Sequence, residues 1–152
     1  MVPANIDCET LVILLVDDDA DCRMLIRDAI ESSGGEYEVY ECRDGEDGLA
    51  FLKRESEYED APRPSIVFLD LEMPGKNGHQ VLVELRSMDA LRDLPVVMLT
   101  GVDSDEAERI ALQNGANSYT CKSADPEALF DVVTEATKYW TRVHRPIRST
   151  AA

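Results

Sequence analysis

The sequence predicts an α/β protein, a doubly wound parallel sheet of five strands with a helix after each. Three observations predict it. The apolar runs "LVILLV" (11–16), "SIVFL" (65–69) and "PVVML" (95–99) are continuous rather than alternating, as in strands covered on both faces. Segments with helical periodicity separate them. Two more polar stretches, "YEVYEC" (37–42) and "SYTC" (118–121), complete a βαβαβαβαβα alternation.

Each element has its own signal. After the first strand, Cys22, Leu25, Ile26, Ala29 and Ile30 follow a 3.6-residue period from Asp21, and the Gly34–Gly35 pair ends that helix. The second strand alternates, so one side of it meets solvent. Leu49 and Leu52 mark the second helix. "EYEDAPRPS" (57–65) reads as a loop whose prolines lead into the third strand. Val81, Leu82 and Leu85 mark the third helix. In "DSDEAERIALQNG" (103–115), Asp103 is the cap signal, Glu106 follows three residues on, and Gly115 is the stop. Asp125 is a natural N-cap for the last helix, with Pro126 at its first position. Leu129, Val132, Val133, Ala136 and Trp140 form its expected buried stripe. Putting the two polar strands at the edges gives the order 2-1-3-4-5, the flavodoxin-like (βα)5 arrangement. There is no internal repeat or low-complexity segment.

A chain of 152 residues fits one domain and can bury a substantial core. Its net charge of -16 argues against a nucleic-acid-binding face and suits cation binding. The charge is uneven: no acid follows Lys138, whereas Arg142, Arg145 and Arg148 do, so a solvated basic tail is expected. Cys8, Cys22, Cys42 and Cys121 show no metal-ligand spacing and are expected as free thiols. No stretch is long and apolar enough to span a membrane, and the N-terminus lacks a secretory signal pattern, so a cytoplasmic location is expected.

In such a sheet ligands bind beyond the carboxyl ends of the strands. Those ends carry Asp17 and Asp18 after the first strand, Asp70 after the third, Thr100 after the fourth and Lys122 after the fifth. Each has a bland explanation as a cap, a turn residue or a solvated strand end. Their convergence on one edge is harder to explain that way. Carboxylates sharing a pocket repel one another unless a cation is present. An all-oxygen donor set suits Mg²⁺, which accepts one or two carboxylates together with phosphate. A carboxylate can also accept a phosphoryl group as an acyl phosphate, with Lys122 and the Thr100 hydroxyl as donors to its oxygens.

"LLVDDD", "FLDLEMPGKNG", "LPVVMLTG" and "GANSYTCKS" together resemble the signatures of the bacterial response-regulator receiver domain, the CheY-like family. The resemblance spans roughly residues 11–140. It implies that Asp70 accepts phosphate from a histidine kinase. It implies Mg²⁺ ligation by Asp17, Asp18, Asp70 and the Glu72 main-chain carbonyl. It also implies phosphoryl contacts from Thr100 and Lys122, with Thr100 and Tyr119 as the switch pair. "YEDAPRPS" and "KYW" look like the single-domain regulators paired with bacterial phytochrome kinases. The implied organisation is an N-terminal extension (1–10), a receiver domain (11–142) and a basic C-terminal tail (143–152). With no room for an output domain, the signal is expected to leave by protein contact, including a homodimer through the fourth helix, fifth strand and fifth helix. One position departs from the family: Ser123 stands where proline usually follows the lysine, so a trans Lys122–Ser123 bond is expected.

Three rivals share parts of this pattern. A haloacid-dehalogenase phosphatase wants a second Asp two residues after its nucleophile, where this chain has Glu72. A flavin-binding protein wants a Ser/Thr/Gly-rich phosphate loop where this chain has "DDDADC". An interaction module of the same fold would not respond to acetyl phosphate.

Overall fold

Continuous apolar runs place three strands at the centre of the molecule. The computed structural model describes residues 10–143. Its elements run β1 (Leu11–Val16), α1 (Ala20–Glu31), β2 (Tyr37–Cys42), α2 (Gly45–Lys53), β3 (Ile66–Leu69), α3 (Gly78–Arg86), β4 (Val96–Thr100), α4 (Asp105–Gln113), β5 (Ser118–Cys121) and α5 (Pro126–Lys138). The sheet is parallel with the order β2-β1-β3-β4-β5. Every residue of β3 and β4 is buried, whereas β2 and β5 are half-exposed edges.

Alternation along the central strands divides the core in two. Leu14, Val16, Val67, Leu69, Val96 and Met98 face α2, α3 and α4, meeting Leu49, Leu52, Val81, Leu82, Leu85 and Ala111. Ile13, Leu15, Ile66, Phe68, Val97 and Leu99 face α1 and α5, meeting Ile26, Ala29, Ile30, Leu129 and Val133. Burial on both sides holds the central strands rigid, so the residues that follow them are fixed in place.

The structure corrects several local expectations. β4 runs through Thr100, which is therefore a strand residue. The N-cap of α4 is Ser104 rather than Asp103: the Ser104 hydroxyl accepts from the Ala107 N–H. Val132 is exposed, whereas the polar Thr137 is buried, its hydroxyl donating to the Val133 carbonyl at 2.7 Å. A hydroxyl satisfied within its own helix costs little to bury. Beyond Lys138 the helix continues as a π-helical turn, Tyr139–Val143. A 3₁₀ turn, Ser56–Tyr58, lies where the sequence reads as loop, and the Tyr58 ring packs 5.2 Å from that of Phe51. Every described peptide bond is trans, including Lys122–Ser123. Cys22, Cys42 and Cys121 are free thiols. Cys8, Arg145 and Arg148 lie outside the described residues. No helix among those described is long and apolar enough to cross a membrane.

Candidate functional site

Asp17 directly follows β1 and is 1% exposed. Its N–H donates to the Cys42 carbonyl (3.1 Å) and its own carbonyl accepts from Arg23 Nη1 (2.6 Å). Its Oδ1 accepts from the Asp19 N–H (2.9 Å) and its Oδ2 from Lys122 Nζ (2.7 Å). All four polar groups of this residue are thus engaged. Asp18, the next residue, is exposed.

Asp70 directly follows β3 and is 6% exposed. Its N–H donates to the Val16 carbonyl (2.9 Å), tying it to the end of β1. Its Oδ1 accepts from the Leu71 N–H (2.8 Å), and its Oδ2 lies 3.6 Å from Lys122 Nζ. The loop beyond it approaches closely. The Gly78 N–H donates to the Leu71 carbonyl (2.8 Å), and a Cβ on Gly78 would fall 2.5 Å from the Asp70 carbonyl oxygen. Gly78, the last residue of "FLDLEMPGKNG", is therefore a steric requirement of the site.

Lys122 follows β5, and its N–H donates to the Thr100 carbonyl (2.7 Å), which aligns the ends of β4 and β5. Its side chain is 12% exposed and reaches both Asp17 and Asp70. Thr100 is 1% exposed, and its hydroxyl accepts from the Val102 N–H at 3.3 Å. The Thr100 hydroxyl is also among the groups acting on the Asp70 carboxylate.

The pocket is electrostatically unbalanced. Burial pushes the Asp70 carboxyl above the usual carboxylate range; Lys122 opposes this and the Asp17 charge adds to it. Burial alone would lower the Lys122 ammonium, but its hydrogen bond to Asp17 and the charges of Asp17 and Asp70 hold it above its ordinary value. The oxygens of Asp17, Asp18 and Asp70 lie within 4.8 Å of one another. Three carboxylates against one ammonium leave an excess of two negative charges. An all-oxygen set with that excess fits a divalent cation.

Asp17, Asp18, Asp70, Thr100 and Lys122 thus all stand at the carboxyl end of the sheet, as the sequence predicts. Glu72 follows in the β3–α3 loop with its side chain exposed. Tyr119 sits on β5, half-buried, with its hydroxyl donating to the Val102 carbonyl at 2.6 Å. Two features around the site have no sequence signal. The Cys121 thiol shares that Val102 carbonyl, at 3.2 Å. Arg23 joins the Asp17 carbonyl to Glu41 of β2, 18 residues away in the chain.

Sheet order and pocket define a class: an open-sheet α/β protein whose acidic edge fits a phosphoacceptor site with a metal. The chain belongs to the response regulator receiver domain family, which matches residues 13–134. It is 34% identical over 129 residues to the response regulator Rcp1 of Synechocystis sp., spanning 85% of this chain and 88% of Rcp1. Among solved structures, the phosphorylated cyanobacterial phytochrome response regulator RcpA matches with a TM-score of 0.86 at 33% identity, over 89% of this chain and 96% of RcpA. The Mn²⁺-bound form of Rcp1 matches with a TM-score of 0.86 at 32% identity, over 91% of this chain and 99% of that one.

Proposed function

We propose that this receiver accepts a phosphoryl group on Asp70 from the phosphohistidine of a sensor kinase, of phytochrome type, and passes the signal on by protein contact. The observation that carries this reading is the buried Asp70 carboxylate with Lys122 Nζ 3.6 Å away, beside Asp17. In the transfer, an Asp70 carboxylate oxygen forms the new O–P bond as the N–P bond to the histidine breaks, and the imidazole leaves. Asp17, Asp18, Asp70 and the Glu72 main-chain carbonyl would hold Mg²⁺, which supplies positive charge against the phosphoryl oxygens. The Lys122 ammonium and the Thr100 hydroxyl contact those same oxygens. The Mn²⁺-bound state of Rcp1 and the phosphorylated state of RcpA support both parts of this reading.

The protein acts as a phosphoacceptor that assists its own phosphorylation and dephosphorylation, and not as a classical enzyme. Its net charge of -16 disfavours nucleic acid, and a cytoplasmic setting follows from a kinase partner. The receiver domain is placed at 11–142, between the 1–10 extension and the basic 143–152 tail. Output runs from Thr100 through Tyr119 to α4, β5 and α5. Leu112 (44% exposed) on α4, with Val132 (36%) and Tyr139 (48%) at α5, offers apolar surface for a second copy there.

The test is phosphorylation by acetyl phosphate with Mg²⁺, read by mass spectrometry. One phosphoryl adduct is expected on the parent and none on Asp70→Asn. Undiminished labelling of that variant would overturn the assignment. Sedimentation with and without beryllofluoride checks the dimer: association that strengthens with beryllofluoride in the parent, but not in Tyr119→Ala, is expected. A monomer in every state would leave this face to another protein.

A further inference from the structure

We propose that Arg23 is a positioning residue for the acidic pocket: it fixes the turn that presents Asp17 and Asp18 to a divalent cation. The inference rests on reading that pocket as a metal-assisted phosphoacceptor site.

The turn between β1 and α1 is three consecutive acids, Asp17, Asp18 and Asp19, and repulsion among them favours splaying it. Some of its restraints are internal. The Asp19 carboxylate accepts from the Asp21 and Cys22 N–H groups, and the Asp19 N–H donates to Asp17. Two side chains hold Asp17 from outside the turn, and they hold different atoms. Lys122 binds the carboxylate, the very group a cation would claim. Arg23 binds the main-chain carbonyl at 2.6 Å, a contact that does not compete with ligation. Arg23 therefore keeps its grip on the turn whether or not the carboxylates are engaged elsewhere.

The clamp is itself anchored. Arg23 Nε donates to Glu41 Oε1 at 2.9 Å, and its side chain is only 11% exposed. Glu41 Oε2 accepts from Arg27 Nε at 2.7 Å, and Arg27 Nη2 donates to the Val39 carbonyl at 2.9 Å. A continuous path thus runs from the β2 backbone through Arg27, Glu41 and Arg23 to Asp17. The planar guanidinium donates in two directions at once, which an ammonium on a flexible stem does less well. Because Glu41 and Glu31 together balance Arg23 and Arg27, Arg23 acts through geometry and not by neutralising the pocket.

The experiment is calorimetric titration of Mg²⁺ into the metal-free protein, with the metal-free thermal midpoint measured in parallel. Arg23→Ala is expected to weaken Mg²⁺ binding about tenfold, the scale seen when groups that orient metal ligands are removed. Arg23→Lys keeps the charge but loses the fork, and is expected to bind like the alanine variant. Full recovery in Arg23→Lys would assign the effect to charge and overturn the clamp. Parental Mg²⁺ affinity in Arg23→Ala, even with a lower midpoint, would show that Arg23 merely supports the fold and would also overturn it. Should Arg23→Ala fail to fold, Glu41→Ala decides: it removes both carboxylate oxygens and leaves Arg23 without its anchor, and unchanged Mg²⁺ affinity there overturns the proposal. Asp18→Ala, run alongside, separates the two levels: if it binds Mg²⁺ like the parent, the reading of the pocket itself fails.

Discussion

Asp70 and Glu41 are both carboxylates near the carboxyl end of the sheet, with β1 between their strands, yet their surroundings shift them in opposite directions. Burial raises Asp70, and the single ammonium it shares with Asp17 does not cancel that rise. Burial would raise Glu41 too, but hydrogen bonds and charges from Arg27 and Arg23 outweigh it and hold the carboxyl below its usual range. With Glu31 also paired to Arg27, the Glu41 cluster sets two carboxylates against two guanidiniums, a balanced ion network whose work is structural. The Asp70 pocket carries charge that the fold does not compensate, which is where binding chemistry is found.

The comparison can be broken most directly at Asp18. Asp18→Ala is expected to weaken Mg²⁺ at least tenfold, about 1.4 kcal/mol or more, because it removes a ligand. Its metal-free thermal midpoint is expected to stay level or rise, since a repulsive charge is gone. A fall in that midpoint would make Asp18 a structural residue like Glu41.

Asp70→Asn sharpens the contrast through pH. A folded-state pKa above the ordinary 3.8 means that Asp70 contributes stability at low pH and loses it as pH rises through the folded value. At neutral pH, without metal, Asp70→Asn is therefore expected to melt roughly 2–4 °C higher than the parent, about 1 kcal/mol. The advantage should vanish in acid. Saturating Mg²⁺ should reverse it, since 100-fold excess over Kd stabilises the parent by about 2.7 kcal/mol. Equal melting of the two at all pH values would remove the electrostatic argument.

Glu41→Gln is the smallest effect and has the opposite sign. With a folded pKa below the ordinary 4.5, Glu41 contributes stability above that pH and loses it as pH falls through the folded value. The variant is expected to be less stable at neutral pH by about 1 kcal/mol or less, because the pair is partly solvated, and equal to the parent in strong acid. Denaturant titration across that pH range checks it.

Much of this was legible in the sequence. The 11–16, 65–69 and 95–99 runs mark β1, β3 and β4 because burial on both faces demands apolar residues at every position. Strand order followed from the two polar strands, and site position from the strand ends. Local details were less legible. Asp103 and Ser104 are both competent caps, and only the backbone geometry chose Ser104. Val132 and Thr137 lie on opposite edges of the α5 stripe; packing covers the Thr137 edge, where the Val133 carbonyl satisfies the hydroxyl, and leaves Val132 exposed.

Sequence alone determined the fold class, the strand that ends at Asp70 and the set of acids, hydroxyl and ammonium around it, because periodicity and strand ends are local properties of the chain. Tertiary structure alone decided how those groups share charge. The 2.7 Å contact between Lys122 and Asp17 spans 105 residues, and the Arg23–Glu41 pair spans 18. Neither separation follows any local period. Such pairs exist only once β1 lies beside β2 and the ends of β1, β3 and β5 come together, and the sign of each carboxylate's shift depends on that packing.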